Sequence, residues 1–245
     1  MYTDILRETD HRVSPFPHGP WMITQKWDHL LFMHLPVSPE DIRSHIPDQM
    51  ELDTYDGEAW VSIIPFKISD MRMRMLPSFP YIKRFLELNV RTYVKRNGIP
   101  GIYFFSLDAS KILPVLGARA GTLPYFFANM SMKRKGEWFH YQSKRHGSRD
   151  AAFKGKYRPS SEIFRPEKGT IDNWLLERYY LWTQVKNSVF SIGIHHRPWE
   201  VTDAEAVIEK QGLLPFLPPE STVSRMMLHY AYSRRVLFWP IKKVD

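Results

Sequence analysis

The stretch Glu87–Leu107, ELNVRTYVKRNGIPGIYFFSL, decides the fold. Two runs rich in β-branched and aromatic residues flank Asn97-Gly98. Both turn residues tolerate positive φ, so the segment predicts a β-hairpin. Further strand signals lie on either side: Glu58–Phe66, Glu137–Lys144, Tyr179–Val185, Val189–His196 and Met226–Tyr232. Tyr55-Asp56-Gly57 and Lys135-Gly136 supply turns before two of them. Helix signals are short. Ser38-Pro39-Glu40-Asp41 reads as a cap with proline at the first helical position, and Thr202-Asp203-Ala204-Glu205 reads as a capping box. Asp108 is placed to start a helix running toward Gly121 past Pro114, and Asp172–Arg178 offers another turn or two. Many strands with a few short peripheral helices predict an α+β fold built on an antiparallel, curved or barrel-like sheet.

The 245 residues suit one domain spanning 1–245 with a sizeable core. Hydrophobic content of 43% and charged content of 24% are ordinary for a folded chain, whereas 14% aromatic residues is high. The one plausible joint, RPSSEIFRPEKG from Arg158 to Gly169, reads as an ordered crossing loop. The chain has no cysteine. That removes thiol nucleophiles, disulfides and cysteine-based zinc sites. The start of the sequence lacks a signal-peptide pattern, and no uncharged apolar run is long enough for a bilayer helix. The expectation is a cytoplasmic protein without a membrane partner.

A formal net charge of +8 raises nucleic-acid binding as a reading. Much of the excess falls between Lys133 and Arg158, beside the Gly136 turn, where a solvated basic hairpin explains it. No nucleic-acid-binding signature accompanies it, so this remains a weaker alternative.

Alternation along the decisive run puts Glu87, Asn89, Arg91, Tyr93 and Lys95 on one face. On a half-exposed sheet this polar face meets solvent; inside a barrel it lines a cavity, where a carboxylate and a guanidinium can hold a polar ligand. The runs NVRTYV, PGIYFFSLDAS and GARAG-T-LPYFFA, with the opening WDHLLF from Trp27 and the segment from Leu52 to Trp60, closely resemble the YqjF-like bacterial proteins, whose function is unknown. That resemblance covers most of the chain and implies an acetoacetate-decarboxylase-like fold with a pocket inside the sheet. The decarboxylases of this fold act through a lysine Schiff base, with the lysine pair following a Gly-x-Pro turn. Here the nearest counterpart is Gly121-Thr122-Leu123-Pro124, and Tyr125 and Phe126 stand where the lysines should be. Neither forms an imine, so decarboxylation by that route is not expected. By the same resemblance Glu87 matches a pocket glutamate of the decarboxylases. Their large assemblies make a homo-oligomer a possibility.

Other chemistry is less marked. Lys111 and Lys95 read as solvated, and no His-x-x-x-His or His-x-His pair suggests a metal. No Gly-x-Ser-x-Gly elbow is present. The alternating run Met71-Arg-Met-Arg-Met75 reads as a strand burying methionines; its other reading is a methionine-lined edge to a binding mouth, followed by a rim or lid in LPSFPYIKRF. The candidate pocket residues are therefore Glu87, Arg91, Tyr93, Tyr125 and His140. The expected ligand is a small polar or anionic organic molecule, held without a cofactor or metal. The alternative is an enzyme acting on a small carbonyl or carboxylate compound, with Glu87 as acid/base and Tyr125 or His140 as its proton partner.

Overall fold

The computed structural model describes residues 2–78, 80–112, 123–218 and 226–244. In chain order the elements are α1 (Tyr2–Arg7), β1 (Ile23–Val37), α2 (Pro39–Arg43), β2 (Glu51–Leu52), β3 (Ala59–Met73), β4 (Phe85–Arg96) and β5 (Ile99–Ala109). Then come β6 (Tyr125–Lys135), β7 (Trp138–Arg145), β8 (Ala152–Pro159), α3 (Ile171–Leu176), β9 (Tyr180–Val185), β10 (Ser188–His195), β11 (Thr202–Gln211), β12 (Met227–Phe238) and β13 (Lys242–Val244). Asn97 and Gly98 turn between β4 and β5 with φ of 51° and 74°, the left-handed conformation that a tight hairpin demands.

Pairing closes the sheet twice. Strands β5, β6, β7, β8, β11, β12, β1, β3 and β4 form a nine-stranded barrel, closed by the β4–β5 hairpin. All its ladders are antiparallel except β5–β6, where Leu107 to Ala109 run parallel to Tyr125 to Phe127. A second, smaller ring shares five of those strands. It runs β12, β1, β3, β4, β5, β9, β10 and back to β12, through a parallel β5–β9 pairing and a short β10–β12 pairing. Sharp curvature is introduced where β1 slips register against β3 between Asp28 and Met33, around His29 at φ 56°.

Alternation on the shared strands serves the two rings in turn. Leu31, Met33, Ile63, Leu88 and Val90 meet Tyr141, Phe153, Tyr157 and Tyr230 to fill the nine-stranded barrel. The intervening Leu30, Phe32, Ile64 and Phe66 face the smaller ring. Two rings around opposite faces of one wall explain why both faces of β3 and β4 are buried.

Several sequence expectations need correction. Thr202–Glu205 starts strand β11, not a helix: Ala204, Ala206 and Ile208 turn inward while Glu205, Val207 and Glu209 are exposed, and the Thr202 hydroxyl donates to the Asp203 carbonyl. Asp108 caps nothing. It lies in β5, buried, and accepts a 2.8 Å hydrogen bond from Arg145; the segment it was expected to initiate falls largely outside the described residues. Ser38 precedes α2 but bonds Glu40 rather than a backbone N–H. In the methionine run only Met71 turns inward, whereas Met73 and Met75 are exposed.

Candidate functional site

The smaller ring encloses a cavity of about 510 Å³. Its walls are mostly aliphatic and aromatic, with Phe32, Ile64, Phe66, Leu107, Leu181, Ile194, Trp199 and Phe238 among them. Against this apolar lining stand Gln25, Glu87, Asn89, Arg91, Tyr125, Arg178 and His196. Few polar groups in an apolar cleft is the usual composition of a small-molecule site.

Three of these polar residues come from one face of β4. Phe85, Glu87, Asn89 and Arg91 descend the cavity wall in steps of two residues. Glu87 is buried, and Tyr125 at the start of β6 donates to its Oε2 at 2.8 Å. The amide of Asn89 also hydrogen-bonds this carboxyl. Burial outweighs both bonds and pushes the Glu87 pKa up to about 7. Burial and the neighbouring carboxyl raise the Tyr125 phenol in turn, so it stays a neutral donor. Glu87 is thus poised to gain or lose a proton near neutrality, in contact with a second group able to relay one.

Arg91 lies deeper. Its guanidinium is buried, reaching the Leu175 carbonyl at 3.4 Å, and its Nε has no hydrogen-bond partner. Among the described residues no carboxylate pairs with it. A buried, unneutralised cation facing a cavity has the chemistry to pair with an anionic group. The Asn89 Oδ1 is similarly without a partner. Arg178, also on the wall, is by contrast neutralised by Asp53 at 2.6 Å, and Asp53 is held from the other side by Lys95 at 2.7 Å. Burial keeps His196 neutral by lowering its pKa well below the usual imidazole range.

The structure brings Glu87, Arg91 and Tyr125 together and leaves out two other candidates. Tyr93 shares their face but sits beyond the cavity floor, under Trp174 at 4.7 Å, where its hydroxyl contacts Ser62 at 2.6 Å and His34 at 3.1 Å. The lining of the cavity along β4 ends at Arg91, one inward step short of Tyr93. His140 lies on the opposite face of β7 from buried Phe139 and Tyr141, flanked by Lys133 and Lys156 on the neighbouring strands. It is not among the residues that line the cavity. Of the pair standing in the lysine positions, Tyr125 turns into the cavity, whereas Phe126 packs beneath the Arg145 guanidinium at 3.9 Å. Gly121 and Thr122 of that motif lie outside the described residues. None of the residues found lining the cavity is a lysine.

Sequence reasoning missed Arg178, His196 and Trp199. They enter from the α3–β9 connection and the segment after β10, where no periodic pattern marks an inward face. Asn89 was visible on the polar face of β4 but not singled out. Among the described residues no group of three histidines and carboxylates is arranged to hold a metal ion, and no helix is long and apolar enough to cross a membrane. The basic segment is partly neutralised: Arg145 pairs with Asp108, Lys154 with Glu209, and Arg158 with Glu137 and Glu205.

Comparison with known proteins gives a consistent picture. The chain is 45% identical to the uncharacterized protein YqjF of Bacillus subtilis (strain 168) over 228 residues, 93% of this chain and 94% of that protein. Its fold resembles an acetoacetate decarboxylase-like enzyme from Sphingomonas wittichii RW1, with a TM-score of 0.64, 11% identity and coverage of 96% and 99% of the two chains. Acetoacetate decarboxylase from Legionella pneumophila aligns with a TM-score of 0.63 and 12% identity over 98% and 94%. The enduracididine biosynthesis enzyme MppR complexed with pyruvate aligns at 0.64 and 11% over 93% and 92%. At these identities the structural likenesses establish the fold alone. The model of the DUF2071 family of uncharacterized conserved proteins matches residues 24–235. The chain therefore belongs to the DUF2071 family and carries it on an acetoacetate-decarboxylase-like double-ringed sheet.

Proposed function

We propose that this protein catalyses proton transfer on a small, largely apolar carbonyl or carboxylate compound bound in the smaller ring. The observation that carries the reading is the Glu87–Tyr125 pair: a buried carboxyl with a pKa of about 7, hydrogen-bonded at 2.8 Å to a phenol in a cavity wall. In this scheme Arg91 grips the anionic head of the substrate at the deep end, Asn89 accepts or donates beside it, and the apolar tail lies along Phe66, Leu107 and Phe238. Glu87 then removes or returns a proton at the carbon next to the carbonyl, and Tyr125 turns its single O–H from Glu87 to the oxygen on which charge develops. The wall offers no lysine for an imine, so the charge is held by hydrogen bonds and the guanidinium rather than by a covalent electron sink.

The test is exchange of the α-protons of straight-chain α-oxo and β-oxo acids in deuterated water, followed by proton NMR. Exchange above the buffer rate is expected, falling about a hundredfold or more in Glu87→Gln. Exchange unchanged by that substitution sinks the assignment. A second reading, a binding protein without catalysis, is favoured by the lack of serine, threonine and lysine among the described residues that line the cavity. Saturable binding of the same acids with no exchange selects it.

A further inference from the structure

The mouth of the cavity has a surface of its own. Met22 and Ile241 line the cavity and are also solvent-exposed, and Met71 and Ile82 lie half-buried between them, so the opening is at this end. Around it project Met73, Met75, Leu76 and Tyr81, with Met75 91% and Leu76 55% exposed. These apolar groups are held out rather than loosely displayed. Met75 sits in a turn at φ 64°, Leu76 N–H donates to the Met73 carbonyl at 3.2 Å, and the loop base is pinned by Ser78 donating to Asp70 at 2.9 Å. Arg74 N–H joins the loop to Met22 at 2.7 Å.

The unpaired charge around this rim has one sign, since Asp70 at the loop base is taken up by Arg235 at 2.7 Å. From Met71 to Arg84 the sequence carries Arg72, Arg74, Lys83 and Arg84 and no acidic residue. Lys242 follows Ile241 on the other side of the mouth. Lys83, Arg84 and Lys242 are exposed, and none has a carboxylate partner among the described residues. Arg74 lies 5.6 Å over the Trp21 ring, which fixes its charge beside the rim.

We infer that this rim docks on an anionic phospholipid surface, placing the cavity mouth against the layer from which an amphipathic ligand partitions. The occupant follows from the chemistry. Exposed methionine, leucine and tyrosine side chains enter the boundary between headgroups and acyl chains, while the surrounding cations meet lipid phosphates and carboxylates. A second copy of the chain is a poorer match, because a twofold contact sets the same row of unpaired cations against itself. This departs from the expectation of no membrane partner, which rested on the lack of a spanning run; a contact on the surface requires none. The inference stands on the outside of the mouth and does not depend on Glu87 chemistry.

Co-sedimentation of the full chain with vesicles tests it. Partition onto phosphatidylcholine vesicles containing roughly one-third phosphatidylserine is expected to exceed that onto pure phosphatidylcholine by at least about tenfold, and to weaken sharply at roughly 0.5 M salt. The double variant Met75→Asp with Leu76→Asp is expected to lose at least about tenfold, and so is Lys83→Glu with Arg84→Glu, both at positions that leave the core intact. Equal partition onto the two vesicle types, or binding unaffected by either double variant, overturns the proposal. So does a concentration-dependent dimer that the Met75→Asp, Leu76→Asp variant dissolves, which assigns the rim to self-association.

Discussion

Tyr125 reaches Glu87 across the strand that lies between their own: β5 separates β4 from β6, yet the phenol oxygen stands 2.8 Å from Glu87 Oε2. The contact exists because Leu107 and Tyr125 pair in a parallel ladder and both turn into the smaller ring. It makes the protonation of one carboxyl a property of three strands.

The first consequence concerns pH. A carboxyl whose folded pKa is raised to about 7 favours the native state while protonated and disfavours it once ionised. Its effect is therefore lost from stability as pH rises from about 4.5 to 7, and is constant above that. The size is on the order of 3 kcal/mol. Buried imidazoles with lowered pKa values act in the opposite sense near pH 6, so the informative quantity is the difference between wild type and Glu87→Gln. Urea denaturation at several pH values is expected to show the variant gaining relative stability across that window. A pH-independent difference contradicts the raised pKa.

Arg91 is expected to select for charge. Replacing it with methionine removes a buried cation that has no acidic partner, so affinity for decanoate should fall about 10- to 100-fold while that for decanol changes little. Calorimetric titration of the two probes distinguishes this from general damage to the cavity, which weakens both.

Tyr93 should behave as a structural residue. Its hydroxyl contacts Ser62 and His34 away from the cavity lining, and Tyr93→Phe removes one bond from each, leaving them only their mutual contact at 2.8 Å. A loss of about 1–3 kcal/mol in chemical denaturation is expected, with decanoate binding nearly unchanged. Lost binding at full stability would return Tyr93 to the pocket.

Gly101 is a steric requirement. A Cβ there would lie 2.5 Å from the Tyr180 carbonyl oxygen and 2.6 Å from the Trp182 ring, because β5 and β9 run parallel in close approach. Gly101→Ala is expected to cost about 1–3 kcal/mol, read as a lower urea midpoint. Substitution without cost would mean that β9 is free to shift.

Much of this architecture is legible in the sequence, and the failures have physical causes. Asn97-Gly98 and the alternating runs announce the hairpins because turn chemistry and period-two burial are local. The Thr202–Glu205 cap signal is overridden by alternation that only the long pairing with β8 makes worthwhile. Glu87, Arg91 and Tyr125 share the pocket because the first two lie on one face of one strand and the third follows the family motif. Tyr93 has the right parity at the wrong depth, and parity carries no information about where a cavity ends. His140 has suitable chemistry but the wrong parity on β7. Arg178 and His196 reach the wall only through closure of the second ring, which depends on distant pairings between β5 and β9 and between β10 and β12.

Five strands are common to both rings, and only β9 and β10 belong to the smaller one alone. The shared strands are clamped by an aromatic-filled barrel, so they make a stiff anvil. Any breathing that admits or expels a molecule falls to the two private strands and the α3 connection leading into them. Ligand occupancy should thus register in hydrogen exchange at Leu181 and Ile194 and pass almost unnoticed at Val90.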